Sequence, residues 1–203
     1  MKLALSGVVA LLVLCAASGC STEASDPGAE PTSLPTQAPS AVDPSTPSEP
    51  PAWHEKFTAE QIDAYEAALN RWQQYAERTN EAWRVGDNSA EARATIREYD
   101  MQWQATLSVF EDSVTQGIRI ERPIKPIWSK PTLIRLGSDG TGTVVIYQCT
   151  DYRGLLVTQN GRELRGTKPD HRITPFTVHM AKPEDGDWMV ARTQLKDAVS
   201  CDA

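Results

Sequence analysis

Three histidines and four cysteines in 203 residues leave little material for a metal site. His54 stands near the start of the foldable part. His171 and His179 lie about 26 Å apart along an extended strand, too far to share an ion without a fold-back. There is no CxxC pair and no Cys/His cluster, so neither a zinc site nor any other metal or cofactor is expected. Glycine-rich phosphate loops, the G-x-S-x-G elbow and H-E-x-x-H are also missing, which removes the motif-based route to an enzyme. Basic charge is in deficit, with 20 Lys and Arg against 27 Asp and Glu. That balance excludes a generally basic nucleic-acid binder. Long apolar runs are absent too: Leu3 to Ala17 spans about fifteen residues, short of the roughly 20 that cross a bilayer.

What is present begins with an export signal. Lys2 supplies a small positive region, the apolar run follows, and small residues close it. The ending Ala17-Ser18-Gly19-Cys20 resembles the lipobox of bacterial lipoproteins, with Ala17 where leucine is usual. The resemblance implies a signal peptide over residues 1–19 and a diacylated Cys20 on the outer face of the cytoplasmic membrane. An ordinary secretory signal with a chance cysteine is the alternative. Two acyl chains are what stable anchoring requires, each buried CH₂ contributing about 0.8 kcal/mol. Residues 20–51 read as a disordered linker, with eight prolines from Ser21 to Pro51 among Ser, Thr, Ala and acidic residues. Such a composition cannot bury enough apolar surface to offset the entropy of ordering.

About 150 residues remain from Ala52 to Ala203, the size of one domain with one real core. Their charge is uneven. It is about −6 over residues 52–117, about +4 over 118–135 and about +3 over 153–172. Cys149 and Cys201 are the cysteines left in this domain, and in an exported chain they make one disulfide, with two free thiols as the alternative.

Two helices are expected first. Thr58-Ala59-Glu60-Gln61 has capping-box spacing. Ile62, Tyr65, Leu69, Trp72, Ala76, Thr79 and Trp83 then recur on one stripe as far as Gly86. Asp87-Asn88-Ser89 can cap a second helix, Asn88 and Glu91 having capping-box spacing. Its stripe is Ile96, Tyr99, Trp103, Leu107, Phe110 and Val114, ending at Gly117, with room for a break near Met101 to Gln104. Core packing is the simpler account of these aromatics than a ligand box or a coiled coil.

Strands follow. Pro123, Pro126 and Pro131 make Ile118 to Pro131 an edge strand or a long connection carrying Trp128. The strongest strand signal is Thr143 to Tyr152. Further strands are expected at Thr132–Leu136, Gly154–Thr158, Arg162–Leu164, Ile173–Ala181 and Trp188–Leu195, with a tight turn at Gln159-Asn160-Gly161. Consecutive strands joined by turns predict a mostly antiparallel meander, and helices preceding strands predict an α+β domain.

The Gly86-Asp87 break, the strand ending Cys149-Thr150-Asp151, the Gly186-Asp187-Trp188-Met189-Val190 turn and the closing Cys201 together resemble actinobacterial secreted lipoproteins with a nuclear-transport-factor-2-like, or SnoaL-like, domain. The resemblance covers roughly residues 55–203. It implies two or three helices packed on a curved sheet as a cone, with a pocket between them, often in dimers. It implies no single activity.

A proton-transfer enzyme in such a cone would need an inward carboxylate with a raised pKa and an oxyanion donor. Asp100, Asp151 and Tyr147 are the candidates. Each has a plainer reading: a helix boundary, a solvated turn and a core tyrosine. Arg153, Arg162, Arg165, Lys168 and Arg172 form a basic stretch that could meet anionic wall polymer, lipid headgroups or an acidic partner, or serve as a solvated hairpin face. The expectation is a non-catalytic, lipid-anchored binding or scaffolding domain, with a cell-wall or membrane-protein partner or a second copy of itself. A small pocket enzyme or ligand carrier is the rival. Replacing Cys20 with Ala should abolish membrane association. Fractionation after a salt wash checks this: the parent chain pellets and the variant stays in the supernatant.

Overall fold

The computed structural model describes residues 52–169, 171–196 and 201. The expected signal, Cys20 and the linker lie outside the described residues. Helix α1 (Ala59–Val85) begins at the expected capping box, with the Gln61 N–H donating to Thr58 Oγ1 and the Thr58 N–H to Gln61 Oε1. The Gln61 side-chain amide also donates to the Ile134 carbonyl, which ties the cap to the sheet. The helix ends at Gly86 in the left-handed region (φ 64°), where the Val85 carbonyl accepts from the Arg119 guanidinium. Tyr65, Ala68, Trp72 and Tyr75 are its buried residues, so the buried stripe includes Ala68 and Tyr75, which the predicted stripe omits.

The second long helix is two helices, α2 (Ala90–Tyr99) and α3 (Trp103–Thr115). Ser89, not Asn88, is the N-cap of α2, accepting from the Ala92 N–H. Asp100 interrupts the run. Its backbone is extended and bridges Val190 in parallel, and the Met101 N–H donates to the Val190 carbonyl. A continuous helix could not make that bond, so the sheet takes the backbone there.

Among the described residues, seven strands form two antiparallel sheets: β1 (Ile118–Arg122), β2 (Lys125–Leu136), β3 (Gly142–Asp151), β4 (Leu156–Gln159), β5 (Arg162–Glu163), β6 (Ile173–Lys182) and β7 (Met189–Leu195). Their orders are β2-β3-β6-β7 and β1-β4-β5. The expected simple meander is therefore corrected: β3 is followed in space by β6, not β4. A turn from Tyr152 to Leu155 lifts the chain out of the sheet. Tyr152, Leu155 and Val157 then bury a separate small core with Ile118, Ile120 and Ile124. The Asn160-Gly161 turn is as predicted, both residues having positive φ. Strand β2 is an edge strand with register shifts beside Pro126 and Pro131.

Three helices on antiparallel sheets make an α+β, cone-like fold. The central core joins Tyr65, Ala68, Trp72 and Tyr75 of α1 to Ile134, Val144, Ile146, Val178 and Met180 of the sheet. Arg71 fastens the helices to the last turn. Its guanidinium stacks 3.7 Å over the Tyr99 ring, pairs with Glu98 and donates to the Trp188 carbonyl. Because side chains alternate along β3, Val144, Ile146, Gln148 and Thr150 face α1 while Tyr147 and Cys149 face away. Tyr147 is thus not in the helix-covered core, which corrects its reading as a core tyrosine. It is half-buried on the outward face, 5.9 Å from the Trp128 ring.

The Cys149–Cys201 disulfide is present, with Cα atoms 5.8 Å apart, and fastens the chain's end to that outward face. Closing a loop of 52 residues should contribute about 4 kcal/mol. The Cys149→Ala/Cys201→Ala double variant should lose that amount, read as a lower urea midpoint with a steeper slope, because the unfolded chain freed of its cross-link exposes more surface.

Candidate ligand cleft

Trp72, Ala76 and Thr79 recur along α1 at helical spacing, so they form one wall of whatever lies between that helix and the sheet. Gln148 of β3 and Phe176 of β6 oppose each other in register and form the facing wall. Pro123, Ile124 and Pro126, at the passage from β1 to β2, form the side. Together they enclose an open cleft of about 700 Å³, with Glu77, Asn80, Glu81 and Arg84 at the rim. The Trp72 and Phe176 rings stack at 28° with centroids 6.0 Å apart.

Gln148 is 4% exposed, and its orientation is set by its neighbours. The Trp72 indole N–H can only donate, so the amide oxygen must face it, at 3.2 Å. That oxygen also accepts from Ser129 Oγ, and the amide nitrogen donates to Thr150 Oγ1 at 3.2 Å. One amide hydrogen remains without a partner among the described residues. A second cavity of about 380 Å³ shares Trp72, Thr79 and Phe176 with the first and is otherwise lined by Tyr75, Trp83, Asp100, Thr106 and the start of β7.

Asp100 borders that second cavity and is 7% exposed, but its oxygens are occupied. Oδ2 accepts from the Thr106 hydroxyl at 2.7 Å and from the Tyr75 hydroxyl at 3.3 Å, and Oδ1 accepts from the Gln102 N–H at 2.7 Å. Burial first, and then the adjacent Asp100 carboxylate, push the Tyr75 phenol well above its ordinary range. Tyr75 is therefore a neutral donor locking Asp100, and Asp100 is the pin at the α2–α3 break.

Asp151 is the opposite of a base with a raised pKa. Hydrogen bonds from the Arg153 side chain, then from its backbone N–H, hold it down to about 2. Arg153 is correspondingly engaged at 2.7 Å. Arg162 lies in β5 opposite Gln159, near the end of α3, and the Arg172 carbonyl accepts from the Tyr152 N–H. Arg165 is exposed and Lys168 half-buried between them. His171 is exposed, and His179 faces outward opposite Arg192. Among the described residues no group of three His, Cys, Asp or Glu side chains could hold a metal. No described helix is long and apolar enough to cross a membrane.

No family model and no curated protein matches the chain. Among solved structures, the intermembrane-space region of the chloroplast protein ARC6 aligns over 66% of this chain and 94% of its own, at 9% identity and a TM-score of 0.36. A likeness of that strength carries no weight for fold or function.

Gln148 and Phe176 of the cleft and Tyr75 of the second cavity are residues that sequence reasoning missed. Tyr75, three residues after Trp72, was available from helical spacing. Gln148 and Phe176 meet only through the β3–β6 register. Removing the pin should be costly. Asp100→Ala leaves two hydroxyls and one backbone N–H without their acceptor and should destabilise by about 3 kcal/mol in urea unfolding. A variant as stable as the parent would show that these bonds carry nothing.

Proposed function

We propose that this chain is a lipid-anchored, extracytoplasmic binding domain of the nuclear-transport-factor-2-like, SnoaL-like type, and that it holds a small, mostly apolar ligand without transforming it. The observation that carries this reading is the cleft: aromatic walls from Trp72 and Phe176, an aliphatic side from Ala76 and Ile124, and one buried, oriented amide at Gln148. Such a mixture of apolar lining and few fixed polar groups is what small-molecule sites share. A planar molecule packs against the edge of the Trp72–Phe176 pair, and a carbonyl or hydroxyl oxygen takes the second amide hydrogen of Gln148. The occupancy of Asp100 by three donors and of Asp151 by Arg153 supports binding over catalysis.

A neutral fluorescent aromatic, N-phenyl-1-naphthylamine, should bind the parent chain saturably at one site and quench tryptophan emission. Ala76→Trp, which fills the cleft from α1, should abolish that binding while leaving the circular dichroism spectrum unchanged. Saturable binding that survives Ala76→Trp would place the ligand elsewhere.

A further inference from the structure

The face of the four-stranded sheet turned away from the helices is unlike the rest of the surface. Opposed residues of an antiparallel pair share a face, so the register assigns it residue by residue. Lys125 opposes Asp151, Trp128 opposes Cys149, Lys130 opposes Tyr147, Arg135 opposes Thr143, and Arg192 opposes His179. Asp151 is the carboxylate among these residues, and Arg153 clamps it. Lys125, Lys130, Arg135 and Arg192 are exposed and have no ion pair among the described residues. The helical side is net acidic, with Glu77, Glu81, Asp87 and Glu91 against Arg78 around an open groove between α1 and α2. Acidic and basic surfaces thus lie on opposite sides of one sheet.

The basic face also carries an apolar prominence. Ile127 is 52% and Trp128 37% exposed, and they are consecutive in the register shift that follows Pro126. Lys130 Nζ stands 5.0 Å from the Trp128 ring centre and 5.8 Å from that of Tyr147. Its ammonium therefore lies over both rings as a cation–π partner. An aromatic and an aliphatic side chain flanked by lysines is the arrangement that suits a membrane–water boundary, where the rings enter the headgroup layer and the cations stay with the phosphates. Pro126 and Pro131 remove backbone donors from this edge, which argues against an added peptide strand as its occupant.

We propose that this face docks on an anionic phospholipid surface, with Ile127 and Trp128 inserted among the headgroups and Lys125, Lys130, Arg135 and Arg192 on the phosphates. The acidic helices and the groove between them then point away from the bilayer. The tether allows it. Gln61 at the start of α1 bonds to Ile134, about 20 Å along β2 from Trp128. A proline-rich linker of some thirty residues, at about 3 Å each, reaches several times that distance. The docking goes beyond the ligand cleft. It is also separate from the acyl anchor, which would hold the chain near the membrane without choosing its orientation.

The test uses the full chain carrying Cys20→Ser, so that no acyl group contributes, sedimented with vesicles of phosphatidylcholine alone or with one-third phosphatidylglycerol. The chain should pellet with the anionic vesicles only, and release should follow a rise in salt. Each cation near such a surface contributes about a fivefold change in partition, so Lys125→Gln with Lys130→Gln should weaken binding about 25-fold. Ile127→Ser with Trp128→Ser should weaken it further at low salt. All four positions are exposed, and circular dichroism verifies that the variants fold. Equal partition onto both vesicle types, binding unchanged by either pair of substitutions, or preference for soluble poly(glycerol phosphate) over vesicles would overturn the docking. Membrane pelleting of the native chain after a salt wash, with no vesicle binding by the Cys20→Ser chain, would overturn it and leave the acyl anchor standing.

Discussion

Strand β3 is paired along its length to β2 on one edge and to β6 on the other, so its pleat cannot slip by one residue without reversing every side chain it carries. That constraint orders the rest. Val144 and Ile146 go to the core under α1, and Gln148 follows them to the floor of the cleft, where Trp72 orients it. Tyr147 and Cys149 go to the other side, where one meets Trp128 and Lys130 and the other holds Cys201. A single alternation thus separates a ligand-sized cleft from a basic, aromatic surface.

The second organising point is Asp100. An acidic residue 7% exposed would ordinarily invite a catalytic reading. Here its oxygens accept from α1, from the first turn of α3 and from the backbone between the helices, while its own backbone bridges β7. Four parts of the fold converge on one side chain. The hydrogen bonds that hold it are the reason the helical run breaks there, and they consume the lone pairs that a base would need.

Much of the local structure was legible in the residues. Thr58 with Gln61, Gly86 and the Asn160-Gly161 turn each follow from the backbone chemistry of a few neighbouring residues, and each appears where it was expected. The places where expectation and structure part are those where a distant segment intervenes. Val190 turns a long helix into two at Asp100. The small core around Tyr152 draws β4 and β5 away from the meander. Arg153 removes Asp151 from candidacy as a base.

By itself, then, the sequence determined the α+β class, the caps and turns, the strand positions and the pairing of the two cysteines left to the domain, because propensity, periodicity and cysteine number are local or countable properties. Only the tertiary structure decided which strands are neighbours, which carboxylates are already satisfied, and which residues line the cleft. It also decided that positive charge gathers on the face opposite the acidic helices. Register and packing bring together residues such as Gln148 and Phe176, and set Lys130 and Arg192 on one face of the sheet, though no spacing along the chain connects them.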